Sequence, residues 1–247
     1  MRCLSSARVT WHREGSILRH QGAGAFLRHA LGRMLRPLLT WQTILFFEID
    51  PARDRPALRA AIPLDVRVLE AEEVRALRPV FEEAGLAADK VERWLARGDR
   101  CAVGLSEGQV VHFRWHTTVA AWIPELGATI VPRPGETYSH NAFTLESARG
   151  KNVQPAISHF VHEWTRDAGY HRTIFYVLED NYPGLAIVRK MAARRTRVLR
   201  RFRFPALSGS WITGLGGPGG PTIRFEADVS VRRMGPLGLW VHEKRMG

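Results

Sequence analysis

Apolar positions at Leu27, Leu31, Met34, Leu35 and Leu38 recur at helical spacing, with Arg28, Arg33 and Arg36 between them. An amphipathic helix with a basic face is expected over 26–39, after an irregular tail at 1–22. Residues 41–49 (WQTILFFEI) form an apolar run of strand length, stopped by Asp50-Pro51. A Pro- and Arg-rich connector, 51–63, leads to 64–69 (LDVRVL), whose alternation predicts a half-buried strand. Helices are expected over 71–84 and 88–97, ended by Gly85 and Gly98. Strands over 101–105 and 110–119 flank the turn Ser106-Glu107-Gly108. An extended stretch at 120–131 and a loop at 132–135 precede a strand at 137–145.

The strongest helical pattern follows a polar turn at 146–152. Val153, Ile157, Phe160, Val161, Trp164 and Ala168 share one face, and Gly169 ends it. Residues 173–178 (TIFYVL) predict a strand covered on both faces. A second helix opens at Asn181-Tyr182-Pro183, and 198–204 is again a strand. This alternation predicts an α/β fold with a mixed central sheet and flanking helices. Beyond Pro205 the run 214–221 (GLGGPGGP) is a turn-rich linker, with short strands expected over 222–231 and 238–241. Three regions follow: an N-terminal extension, 1–63, of helix plus strand; an α/β domain, 64–204; and a C-terminal extension, 205–247.

The net charge of +12 invites a nucleic-acid reading, but its make-up argues otherwise. Only four of the 36 basic residues are lysine, and the arginines are spread along the chain as in a GC-rich coding bias. Nucleic-acid binding is not expected, although a positive surface steers anionic ligands. The basic helix over 26–39 could lie on a membrane surface; packing on the domain behind it is the preferred reading. No signal-peptide or membrane-spanning run is present, and Cys3 and Cys101 lie in no metal or redox spacing. A reducing, cytoplasmic setting is expected.

Chemistry concentrates in Phe143-Thr144-Leu145-Glu146-Ser147-Ala148-Arg149-Gly150-Lys151-Asn152-Val153. A strand enters a turn that opens directly into a helix, whose first amides lack internal partners and have the helix dipole behind them. A diphosphate fits such a place. Gly150 lets backbone approach phosphate, Arg149 and Lys151 add charge, Asn152 is an N-cap residue, and Pro155 sits where a missing N–H is harmless. On the preceding strand Glu136, Tyr138 and His140 share a face by alternation, which makes Glu136 or His140 a candidate general base; a solvated strand face is the plain alternative. His159, His162 and Glu163 lie at helical spacing that could hold a metal, but no third ligand is evident and no metal is expected. His112 and His116 share a strand face, with a surface role expected and a binding-cleft role as the alternative.

The block FTLESARGKNVQPAISHFVHEWTRDAGYHRTIFYVLEDNYPGLAIVRKM resembles the acyl-CoA-binding half of the GNAT superfamily of N-acetyltransferases. The parts that match are a strand, an Arg-Gly-x-x turn, a helix ending in Gly, a buried strand, and Asn181 opening a helix that ends in Lys190. The resemblance implies a partly splayed sheet and acetyl-CoA as co-substrate. It assigns the acyl-CoA to Phe143, Thr144, Leu145, Arg149, Gly150, Lys151, Asn152, Val153 and Asn181. Pantetheine would lie between the strands at 137–145 and 173–178, and a main-chain N–H near Phe143 or Leu145 would polarise the thioester carbonyl. A primary amine would then attack directly, from a small molecule or a protein. Asn152 replaces the second glycine of the turn, Val188 replaces a tyrosine that protonates the leaving thiolate, and Ala192-Ala193 replaces Gly-Phe. These departures raise two rivals: a catalytically silent CoA-binding or scaffold module, and a basic protein associated with membrane or nucleic acid.

Overall fold

The computed structural model describes residues 40–52, 58–204, 209–214, 220–225, 229–233 and 238–243. The helix expected over 26–39 and the tail before it lie outside them. Two compact units divide the chain: a larger one, Gln42–Arg200 with Thr213–Ala227, and a smaller one that includes Arg201–Ile212 and Asp228–Gly247. In the smaller unit β13 (Leu239–Glu243) pairs antiparallel with β12 (Val229–Arg233) and with β10 (Gly209–Thr213).

The larger unit is built on a mixed sheet in the order β9-β1-β8-β7-β4-β3-β2. Its strands are β1 (Thr40–Ile49), β2 (Asp65–Leu69), β3 (Arg100–Ser106), β4 (Gln109–Thr117), β7 (Glu136–Thr144), β8 (Arg172–Leu178) and β9 (Arg194–Phe204). Five helices belong to it among the described residues: α1 (Ala71–Ala76), α2 (Arg78–Glu83), α3 (Ala88–Ala96), α4 (Val153–Asp167) and α5 (Tyr182–Lys190). The helix expected over 71–84 is two, because Pro79 starts a new one at its first turn. The stretch expected over 120–131 is a hairpin, β5 (Ala121–Ile123) and β6 (Ala128–Val131), in a separate three-stranded sheet with β11 (Thr222–Arg224).

Strand parity distributes the core over both faces of the sheet. Phe113 and Trp115 of β4 join Phe81, Val91 and Trp94 of α2 and α3 on one face. On the other, Ile157 and Val161 of α4 pack on Ala102 and Val111. Gly104 permits that approach, since a Cβ there would collide with Ile157. β1, expected in the N-terminal extension, is an interior strand that pairs antiparallel with β8 from Ile44↔Leu178 to Ile49↔Thr173. Likewise β11, expected in the C-terminal extension, pairs with β6 of the larger unit. A buried charge cluster fastens the middle of the sheet: Arg172 of β8 pairs with Glu48 of β1 at 3.1 Å and with Glu136 of β7. No helix among the described residues is long and apolar enough to cross a membrane.

Candidate functional site

β7 and β8 are parallel neighbours for three positions only, Glu136↔Arg172 to Tyr138↔Ile174. Both strands continue without pairing to each other. On its other side β7 steps from His140 to Phe143 while β4 steps from Trp115 to Phe113, so β7 carries one extra residue. Asn141 absorbs it with a left-handed backbone, φ 47°. Such a bulge bends the strand that carries it, which turns the far half of β7 away from β8. A cleft of about 950 Å³ opens at this point, lined along its length by Tyr138–Thr144 of β7 and Phe175–Leu178 of β8.

The cleft runs toward the turn between β7 and α4. A 3₁₀ turn at Glu146–Ala148 brings the chain to Arg149, then Gly150 at φ 78° and Asn152 at φ 57°, ψ 22°. Two left-handed residues this close fold the backbone into a concavity of the kind that binds anions. Gly150, Lys151 and Asn152 are exposed, and the first helical bond is Ala156 N–H to Asn152 O at 3.2 Å. The amides of Val153 and Gln154 precede that bond, and Pro155 has none. The turn is braced by Ala61 N–H to Lys151 O at 2.8 Å. Asn152 holds the N-cap position, but its side chain does not cap. Capping needs an extended backbone, and the left-handed one aims Oδ1 at Lys190 Nζ, 2.6 Å away.

Arg149 folds back, its Nε donating to Thr144 O at 3.2 Å and its guanidinium lying 5.7 Å from the Phe143 ring centre. A main-chain donor was expected near Phe143 or Leu145. Leu145 N–H already bonds Val111 O of the neighbouring strand at 3.0 Å. Backbone groups alternate in direction along a strand, so those of Thr144 point away from β4, toward the cleft. Asn181 caps α5, accepting from Gly184 N–H at 3.1 Å, and lies on the cleft wall with Val188. The structure thus brings Phe143, Thr144, Arg149 and Asn181 to the cleft wall, with Gly150, Lys151, Asn152 and Val153 completing the adjoining turn and helix start.

Of the two candidate bases only His140 is on the cleft wall. Glu136 is 3% exposed, pairs with Arg172 and accepts from Arg133 N–H at 3.0 Å; it is neither a solvated face nor a cleft residue. His140 Nε2 lies 3.1 Å from Asp99 Oδ2, and its Nδ1 lies 3.1 Å from Asn141 Nδ2. Both contacts are satisfied when Nε2 carries the ring hydrogen and Nδ1 accepts. Burial against Trp94 pulls the imidazole below the usual histidine range, Asp99 opposes this, and Arg97 and Lys90 add to it. Asp99 is buried, which favours its neutral form, but hydrogen bonds from His140, Arg97 and Thr117 outweigh that and hold it ionised. Beyond His140, Tyr138 stacks on Tyr176, whose hydroxyl donates to Glu125 at 2.6 Å. Burial raises both tyrosines well above their ordinary values, so they remain proton donors.

Tyr176 and Glu125, which line the cleft, and Asp99, which touches it only through His140, were not among the sequence candidates, since each comes from a separate segment. His112 and His116, expected at the surface, are instead buried between the sheet and α4, at 0% and 3% exposure. His159 and Glu163 are 3.8 Å apart, but His162 turns inward and is buried. No group of three metal-type side chains assembles among the described residues.

The mixed sheet with flanking helices is the fold seen in GNAT acetyltransferases. A GNAT-family acetyltransferase from Colwellia psychrerythraea is similar at a TM-score of 0.50 and 12% identity, over 73% of this chain and 62% of that one. A GCN5-related N-acetyltransferase from Sphaerobacter thermophilus follows at 0.49 and 17% identity, over 74% and 57%. Ribosomal-protein-alanine N-acetyltransferase from Brucella melitensis biovar Abortus 2308 matches at 0.41 and 14%, over 53% and 92%. The chain spans about three fifths of the length of the first two. At such identities the likeness is one of fold. No protein-family model matches the chain, and no curated protein does.

Proposed function

We propose that the chain is an acyl-CoA-dependent N-acyltransferase that moves an acyl group, acetyl in the simplest case, to a primary amine. The observation that supports this most is the parting of β7 and β8 after Tyr138 and Ile174, beside a left-handed turn at a helix start. The residues present fit acyl-CoA. The amides of 151–154 with Arg149, Lys151 and Lys190 would hold the diphosphate. Outward main-chain groups at Thr144 would meet the pantetheine arm, and Asn181 flanks it. Bound acyl-CoA would supply an activated thioester carbonyl.

His140 is the base on this reading, and Asp99 positions it. Neutral at pH 7, it takes a proton at Nδ1 from the acceptor ammonium after Asn141 releases that nitrogen, and Asp99 stabilises the imidazolium that forms. Val188 offers no proton for the leaving thiolate; Tyr138, on the cleft wall, is the phenol that would supply one, since the Tyr176 hydroxyl is given to Glu125. The same Val188 favours a second reading, a CoA-binding module without catalysis.

Calorimetric titration of the full chain with CoA and acetyl-CoA tests the assignment. Lys151→Glu, at an exposed position, should weaken both at least about tenfold by reversing a charge-assisted contact. Absence of binding at millimolar CoA would overturn the reading. CoA binding with no thiol release over a broad amine panel would select the silent module.

A further inference from the structure

Arg114 of β4 is 4% exposed and has no carboxylate beside it among the described residues. Its Nε donates to Ser139 Oγ at 3.2 Å and its Nη1 to Ser158 Oγ at 2.7 Å. Ser158 in turn donates to Gln154 O at 2.8 Å, so neither hydroxyl brings charge. Burial lowers the guanidinium to about 10, which leaves it protonated at neutral pH. His112 and His116, two positions to either side, are held neutral by the same burial. A buried cation without a counter-ion is unfavourable, and an anionic group entering from outside would offset it.

The side chain lines the cleft. Along β7 it sits opposite the bulge at 141–142, between His140 on one side and the turn after Thr144 on the other. An anion at that level is not the diphosphate, whose exposed turn lies beyond the strand's end. It lies where an acyl group and an acceptor amine would meet. Nη2 makes no hydrogen bond to the described residues, and with the second hydrogen of Nη1 it forms the paired donors that suit a carboxylate.

The geometry points to Arg114 as a carboxylate-binding residue inside the cleft, so that the acyl chain or the acceptor carries a carboxylate. This rests on the acyl-CoA reading above. Two sources share the chemistry: the far carboxylate of a dicarboxylic acyl thioester, and the carboxylate of an amino-acid acceptor.

The test uses the full chain and two pairs of probes. Acetyl-CoA and succinyl-CoA differ at the acyl end; phenethylamine and phenylalanine, titrated with CoA present, differ in the acceptor carboxylate. A charge-assisted pair at Arg114 predicts a preference of about tenfold to a hundredfold for the carboxylate-bearing member of one pair. Arg114→Gln should erase that preference, and Arg114→Lys should keep part of it. Preference in the first pair identifies the acyl source, and preference in the second the acceptor source. Equal affinities within both pairs, with CoA itself binding, overturn the proposal and leave the acyl-CoA reading standing. If CoA does not bind, the acyl-CoA reading falls, and free succinate then decides the arginine site by itself. A rise in Tm with millimolar succinate, present in the wild type and absent in Arg114→Gln, supports the site; no rise overturns it. Ligand-free Arg114→Gln should melt no lower than the wild type; a fall of several degrees, shared by Arg114→Met, marks a bracing role and refutes the proposal.

Discussion

Acidification should loosen the larger unit through its buried histidines, and His112→Asn isolates one of them. His112 is fully buried, with Nδ1 2.8 Å from Thr144 Oγ1 and no partner for Nε2. Burial, and then the neighbouring Arg114 charge, push it from 6.5 down to about 3. The unfolded chain therefore takes up a proton near pH 6.5 while the folded chain does not until about pH 3. Stability from this group is complete above pH 6.5 and is lost progressively as pH falls through that window. With these two values the loss between pH 7 and pH 5 is about 2 kcal/mol, and about 3 kcal/mol by pH 4. His116, held well below its ordinary value by burial with Arg114, His140 and His162 nearby, acts in the same direction. The assay is urea unfolding followed by tryptophan fluorescence at pH 7, 6, 5 and 4, since Trp94 and Trp115 are buried in this unit. The midpoint of the wild type should move down by roughly 1 M more than that of His112→Asn between pH 7 and pH 5. Asparagine keeps a hydrogen-bonding group near Thr144 and removes the titration. Parallel curves for the two proteins across this range would refute the argument.

Two further outcomes separate the roles of the carboxylates near the cleft. Asp99→Asn should lower the pH at which the rising limb of kcat/KM appears, because the imidazolium of His140 loses its counter-charge, and should reduce the rate by about a hundredfold or more; an unmoved limb would remove His140 from catalysis. Glu136→Gln should destabilise the fold by about 3 kcal/mol, leaving part of the Arg172 charge uncompensated, without moving that limb; chemical denaturation and the same pH profile measure both.

What the sequence made visible was local. Gly150, which lacks a Cβ, and Asn152, whose short amide side chain tolerates it, both permit left-handed backbone, and the helix after them shows its 3.6-residue period, so the turn and α4 were readable one residue at a time. Asn141 uses the same left-handed tolerance, but its bulge exists only relative to β4, and no pattern within β7 reveals which residue goes unpaired. The same limit hid Asp99 from His140, which lies 41 positions away. Glu136 shows the converse error. Alternation placed it correctly on a strand, yet strand parity is silent about Arg172, and the carboxylate that looked available is locked in an ion pair. The histidines of β4 were misplaced for a related reason, since an edge strand and an interior one share a period and differ only in what covers them.

The position of β1 bears on how this cleft comes into being. The far side of β8 is closed by residues 124 positions away, as the Arg172–Glu48 contact measures. One wall of the cleft therefore waits on a long loop closure, and loops of that span make for slow, late assembly. Until the two segments meet, β8 offers a bare apolar edge to any neighbouring chain. Shortening the protein ahead of residue 50 would leave that edge bare permanently, trading a folded unit for an aggregate although every residue of the turn and of the Asp99–His140 pair is retained.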